Sequence, residues 1–241
     1  MTETIENATG YNEALYEELW RRMPFHPPDR LPWWPALKEL ADEAPDRLEL
    51  GPGISPRMPI AGTHVCDLSK GALEVLEKHG AIIHHGMLQD QNFPDKSFDM
   101  IGLFEVLEHV PDDEGLLREL ARLTRPGGHL ALTVPLGMKH YCSFDRYMGH
   151  VRRFEPEELR SKIERAGYAL ERFEIHSQSN HEPAASVFVW VMKTFPRFAA
   201  WMLRYVFLPM LCRMRLTWYD AAEWEVRTPG ATDIGVIFRR L

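Results

Sequence analysis

The chain has 241 residues, 45% hydrophobic and 26% charged, which is enough for one sizeable α/β domain with additions and too little for two full ones. Its formal charge is −7, and residues 1–50 hold 11 Asp/Glu against 5 Lys/Arg, the wrong balance for tracking phosphates, so nucleic acid is excluded as a partner. Cys66, Cys142 and Cys212 stand apart without metal or redox spacing, the start MTETIENATG is unlike a secretory signal, and no window reaches the ~18 apolar residues of a membrane span; together these predict a cytoplasmic protein with reduced thiols.

Residues 12–22, NEALYEELWRR, carry Leu15, Leu19 and nearby aromatics at helical spacing and predict an amphipathic helix. The proline-rich MPFHPPDRLPWWP breaks it, and a second short helix is predicted over 35–44. From Arg47 strands and helices alternate. RLEL is a strand, THVCDL a second, and KGALEVLEKHG a helix closed by Gly80. AIIHH and SFDMIGLF read as the third and fourth strands. A helix over 112–124 buries Leu116, Leu117, Leu120 and Leu123, and RPGG (125–128) turns the chain into the fifth strand, HLALTVPL. EPEELRSKIERAG (155–167) is a helix with Pro156 near its start and Gly167 at its end. YALERFEIHS and DIGVIFRR are the last strands, and the stretch between them, about 178–232, is too long for a simple connection.

This rhythm predicts a Rossmann-like α/β fold with a doubly wound, seven-stranded, mostly parallel sheet: five parallel strands extended by a reversed final pair. An N-terminal helical cap segment (1–46) precedes the main domain (47–241). That domain carries a substrate loop at 136–154 and an aromatic-rich helical insertion at 178–232, before the last strand. Cap and insertion are expected to cover the substrate side, at the carboxyl ends of the strands.

RLELGPGISP (47–56) brings an apolar strand into a glycine turn, where a nucleotide is expected. A dinucleotide site needs G-x-G-x-x-G with a third glycine for close helix packing, and that position is Pro56. Glu49 would repel a pyrophosphate and suits an ammonium group. Asp67, closing the second strand, can accept from both ribose hydroxyls. Acid, glycine turn and acid describe a ribose-bearing ligand that is cationic, which weighs against a nicotinamide-dependent oxidoreductase.

LELGPG, CDLS, GMLQDQNFPDKSFDMI, FEVLEHVPD and RPGGHLALTVP, in order over about residues 47–177, resemble the class I S-adenosylmethionine-dependent methyltransferases. The nearest flavour is the bacterial small-molecule type that includes ubiquinone-pathway O-methyltransferases. The resemblance implies S-adenosylmethionine as cofactor, with Glu49 toward the methionine ammonium and Gly51 and Gly53 allowing close backbone approach. It puts Asp67 on the ribose, with Leu68, Met87 and Leu88 around the adenine. Phe104 and Glu105 then lie near the methionyl part, His109 follows, and Tyr11 folds over from the N-terminal helix. Two departures stand out. Met87 replaces the aspartate of many relatives, and SPRMPIAGT, with Pro56, Pro59 and Gly62, is a poor helix after the glycine turn.

KHYCSFDRYMGHVRRF (139–154) gathers titratable and aromatic groups after the fifth strand. One reading is a lid held by internal hydrogen bonds, with Asp145 pairing an arginine. The other supplies a general base, His150 or His140, and an acceptor site from Tyr141, Tyr147, Arg152 and Arg153. His84 and His85 read as structural or surface groups. No carboxylate or histidine cluster has metal-ligand spacing, so no metal is expected. Residues 187–218 hold Lys193, Arg197, Arg204, Arg213 and Arg215 and no acid, among many aromatics. They fit packing over an apolar pocket, a homo-oligomer contact or a membrane-surface helix.

The function these features imply is methyl transfer from S-adenosylmethionine to a small-molecule acceptor: O- or N-methylation of a specialised metabolite or quinone-like compound. A non-catalytic binding subunit of the same fold, acting through the 178–232 surface, is the alternative.

Overall fold

The computed structural model describes residues 14–175 and 182–241. Helix α1 covers 14–22, and α2 (Trp34–Glu43) follows the proline-rich break. Strands β1 (Arg47–Leu50), β2 (His64–Asp67), β3 (Ile82–His85), β4 (Phe98–Phe104) and β5 (Thr124–Pro135) then alternate with α3 (Lys70–Glu77) and α4 (Asp113–Leu123). The caps are local. Ser69 accepts the Ala72 N–H at the start of α3, and Asp112 accepts that of Gly115 at the start of α4. Helices α5 (Ser143–Met148) and α6 (Pro156–Arg165) lead to β6 (Tyr168–Ile175). The long connection folds as α7 (Glu182–Thr194), α8 (Pro196–Met202), α9 (Leu208–Leu211), β7 (Trp218–Asp220) and α10 (Trp224–Arg227), before β8 (Asp233–Arg240).

The sheet order is β3-β2-β1-β4-β5-β8-β6-β7. The seven strands expected are therefore eight, because the insertion returns Trp218–Asp220 to pair with β6 at the sheet edge. The reversed final pair is corrected as well. β8 is antiparallel to both β5 and β6, so β6 runs with the first five strands and β8 is inserted between. RPGG also lies inside β5 rather than before it, and a register shift opposite Phe98 and Met100 absorbs it.

Alternation along the central strands assigns the two faces. Ile101, Leu103, Leu130, Leu132, Val236 and Phe238 pack with Leu116, Leu117 and Leu120 of α4 and with Leu159 and Ile163 of α6. Met100, Phe104, Ala131 and Ile237 pack with Trp33, Leu37 and Ala41 on the other side. The order of strands reverses between β1 and β4, which sets the crevice.

Truncation at the centre of this core carries a full cavity cost. Ile101→Ala, from a fully buried side chain on β4, is expected to destabilise the fold by about 2–5 kcal/mol, read as a lower urea midpoint at unchanged slope.

Candidate active site

A cavity of about 420 Å³ opens at the carboxyl ends of β1 and β4. Its lining begins at the glycine turn. Gly51 and Gly53 have φ of +58° and +54°. A Cβ on Gly51 would come within 2.8 Å of Val106 Cγ2, and one on Gly53 would collide with the Trp20 indole. Among residues 51–63 there is no helix. The loop curls back on Glu49 instead: Oε1 accepts the Arg57 N–H at 2.8 Å and Oε2 that of Met58 at 3.1 Å. Glu49 is 1% exposed, and burial, opposed by these two amide bonds, pushes its carboxyl up to about 7. Asp67 accepts the N–H groups of Gly53 and Ser69, both at 2.8 Å, and burial raises its carboxyl against those bonds.

Of the residues expected around the cofactor, Glu49, Gly51, Asp67, Leu68, Met87 and Leu88 line the cavity from β1, β2 and β3. Phe104, Glu105 and His109 line it from β4. The Gly53 N–H is engaged by Asp67. Tyr11 lies outside the described residues, but α1 brings Tyr16 and Trp20 to the wall, their rings stacked at 5.6 Å. Glu105 adopts φ +57°, a strained conformation for a side chain with Cβ, and it turns the chain off β4 so that His109 reaches the cavity.

Arg57 also lines the cavity, and sequence reasoning passed over it because it sits in the proline-broken loop. Its guanidinium lies over the rings of Trp33, at 4.1 Å, and Phe104, at 5.0 Å, while Nη1 donates to Thr133 Oγ1 at 2.8 Å. Burial lowers its pKa, and the carboxyl groups of Glu105, Glu49, Glu174 and Glu108 act in the opposite sense.

No spacing in the sequence marks a carboxylate–histidine cluster, but the fold brings ligand atoms of Glu108, His109 and His150 within 4.8 Å of one another. Glu108 is fully buried, and burial, with the Glu105 carboxyl against it, pushes its carboxyl well above the usual range. His150 Nδ1 is 2.8 Å from Asp145 Oδ1, and His109 Nδ1 is 3.2 Å from the Gly149 carbonyl. Both partners are pure acceptors, so each Nδ1 carries a hydrogen. His150 Nε2 lies 3.9 Å from Glu108 Oε1, and His109 Nε2 lies 3.2 Å from the Tyr16 hydroxyl. Burial and the neighbouring His150 lower His109 to about 3, so its imidazole is neutral. A buried carboxyl group beside two imidazoles, each backed by an acceptor, is a donor set that fits a divalent cation. Glu108 and His109 are adjacent in EVLEH, but only the turn after α5 brings His150 to them.

The rest of the 139–154 stretch is held internally. Burial would raise Asp145, yet hydrogen bonds from His150 and Arg153 hold it below the usual carboxylate range. Arg153 Nε donates to Asp145 at 2.8 Å, and Arg152 donates to Asp113 at 2.7 Å and to the Pro111 carbonyl at 2.8 Å. Tyr141 donates to the His150 carbonyl, and the Tyr147 ring faces Lys193. These residues and His140, in the turn Met138–His140, do not line the cavity. Arg152 and Arg153, expected at the acceptor, are thus engaged by Asp113, the Pro111 carbonyl and Asp145. His150 reaches the cavity wall through His109 and Glu108.

Residues 32–172 match the methyltransferase domain family. The chain is 33% identical over 150 residues to the ubiquinone biosynthesis O-methyltransferase of Ralstonia nicotianae, across 54% of this chain and 63% of that one. It is 34% identical over 108 residues to the 27-O-demethylrifamycin SV methyltransferase of Amycolatopsis mediterranei, across 34% of this chain and 40% of that one. The chain thus spans less than two thirds of either relative. An S-adenosylmethionine-dependent methyltransferase from Thermotoga maritima shares the fold at a TM-score of 0.59 and 17% identity, covering 95% of this chain and 99% of that one.

Glu49 ties the site to the pH dependence of stability. Its folded carboxyl keeps a proton up to about pH 7, whereas an unfolded one releases it near 4.5, so the folded chain binds more protons between these values. Stability therefore falls as pH rises through that window, by up to about 3 kcal/mol from this group. The raised carboxyls of Asp67 and Glu108 act in the same sense. Urea unfolding from about pH 5 to about pH 7.5 should show the decline in the wild type and a shallower one in Glu49→Gln; equal slopes would assign it to other groups.

Proposed function

The chain belongs to the methyltransferase domain family and is a class I S-adenosylmethionine-dependent methyltransferase; from that premise we propose that it methylates a hydroxyl group of an apolar small molecule. The carrying observation is the single cavity that joins Asp67 and Glu49 to an apolar wall of Leu31, Trp33, Phe104 and Leu211. Relatives named as O-methyltransferases support the choice of oxygen.

In this reading Asp67 takes the ribose hydroxyls, and Met87 and Leu88 flank the adenine. Glu49 ionises against the ammonium, and Arg57 faces the methionyl carboxylate. Gly51 and Gly53 keep the turn free of side chains, while Tyr16 and Trp20 close over it and exclude water. The donor supplies a methyl carbon on a sulfonium, whose charge is neutralised as the acceptor oxygen attacks in line. The protein's share is alignment and desolvation, worth up to ~7–11 kcal/mol in favourable cases. Glu108, His109 and His150 would hold a divalent cation, which would supply a Lewis acid beside the cavity to favour ionisation of an acceptor hydroxyl. Failing a cation, the proton would pass to His150, oriented by Asp145, by way of His109, the member of the cluster that lines the cavity.

Calorimetric titration tests the cofactor half. The wild type should bind S-adenosylmethionine near micromolar, and Asp67→Ala at least tenfold more weakly, about 1.4 kcal/mol. The decarboxylated donor should bind the wild type at least tenfold more weakly, and Arg57→Gln should narrow that ratio toward one. No binding by the wild type would favour the non-catalytic subunit.

A separate titration of the metal-stripped protein with Mn²⁺ should show binding that Glu108→Gln weakens at least tenfold while donor affinity stays unchanged. An absent Mn²⁺ signal, with methylation of phenols unaffected by EDTA, would reject the cation and leave His150 as base.

A further inference from the structure

Helices α7, α8 and α9 are two-sided. Inward, Ala185, Val189, Met192 and Ala199 are buried, and Leu211 reaches the cavity wall. Outward, large apolar side chains stand in solvent: Trp190 is 57% exposed, Phe198 52%, Trp201 51% and Tyr205 56%. Phe198, Trp201 and Tyr205 follow one another at 5.9 Å between ring centroids, and Trp190 meets Phe195 at 5.5 Å. Folded proteins rarely leave so much apolar surface uncovered without a use for it.

The charge on this surface has one sign. Lys193, Arg197, Arg204, Arg213 and Arg215 are exposed between residues 187 and 218, with no acid among them, in a chain whose net charge is −7. A second copy would bring the same cations against these, and like charges facing each other across an interface are costly. An anionic surface is their complement. Amphipathic aromatics beside long basic side chains are what lies at the headgroup level of a bilayer, rings in the acyl boundary and cations at the phosphates. Among the described residues no helix is long and apolar enough to cross a membrane, so the fit is to its surface.

We propose that the outer face of α7–α9 docks on an anionic phospholipid bilayer. An acceptor dissolved in the lipid would then reach the cavity past Leu211, a consequence that rests on the methyl-transfer reading.

Flotation with vesicles of phosphatidylcholine alone, or with about a third phosphatidylglycerol, tests the docking. The wild type should float with the anionic vesicles, at least tenfold more than with neutral ones, and should be released by high salt. Phe198→Ser/Trp201→Ser and Arg197→Glu/Arg204→Glu should each abolish flotation while keeping S-adenosylmethionine affinity, which reports that the site is folded. No flotation by the wild type, or flotation that survives both variants, overturns the proposal. A dimer by light scattering that Phe198→Ser/Trp201→Ser dissociates, without vesicle binding, assigns the face to a second copy. Flotation without donor binding would sink the methyl-transfer reading alone.

Discussion

The buried carboxyl group of Glu49 is the point around which the site is assembled. In a doubly wound sheet the segment after the first strand usually forms a helix, whose free N–H groups and dipole face the ligand. Here Pro56, Pro59 and Gly62 forbid one, and the loop satisfies its backbone by giving the N–H groups of Arg57 and Met58 to Glu49. This has two effects. The chain reverses tightly enough to carry Arg57 over Trp33 and Phe104, and the carboxyl, fully removed from water, is poised near neutrality. Asp67 does for the glycine turn what Glu49 does for the loop after it. Two acids take the place of a helix terminus, so the site holds an anchored cation and raised carboxyls rather than a dipole.

Arg57 also explains how so many carboxyl groups are tolerated in one wall. Glu49, Glu105, Glu108 and Glu174 all act on it, and ionising all of them in the interior would be prohibitive. Raised values at Glu49 and Glu108 are the relief: protons remain where a cation is absent. Such a wall takes up positive charge readily, whether an ammonium, a sulfonium or a metal ion, each replacing protons.

What was legible in the sequence was set by local rules. Strand and glycine-turn patterns fixed β1, β2 and β4 to within a residue or two, and with them Glu49, Gly51, Asp67 and Phe104, because strand ends in this topology all point at one crevice. What was not legible depends on contacts between distant segments. His150 has no spacing that links it to Glu108; Asp145 and the αL cap at Gly149 create that meeting. The pairing of Asp145 with an arginine was one of two readings, and Arg153 makes it, but Asp113, the partner of Arg152, lies too far along the chain to be chosen from a one-dimensional pattern. β7 escaped because Trp218–Asp220, only three residues long, gains its strand character from β6 rather than from its own sequence.

Helix α1 is joined to the polar wall by specific bonds. Tyr16 approaches both His109 and the Met148 carbonyl, and Glu17 accepts from Ser69 at the start of α3. Trp20 meanwhile rests on Gly53, where a Cβ would have kept it away. Helix α1 therefore senses the glycine turn, the start of α3 and the His109 wall together. Through the stacked rings of Tyr16 and Trp20, one turn of helix touches both the glycine turn and the imidazole–carboxylate cluster. Leu211, on α9, supplies the cavity with apolar wall from a distant part of the chain.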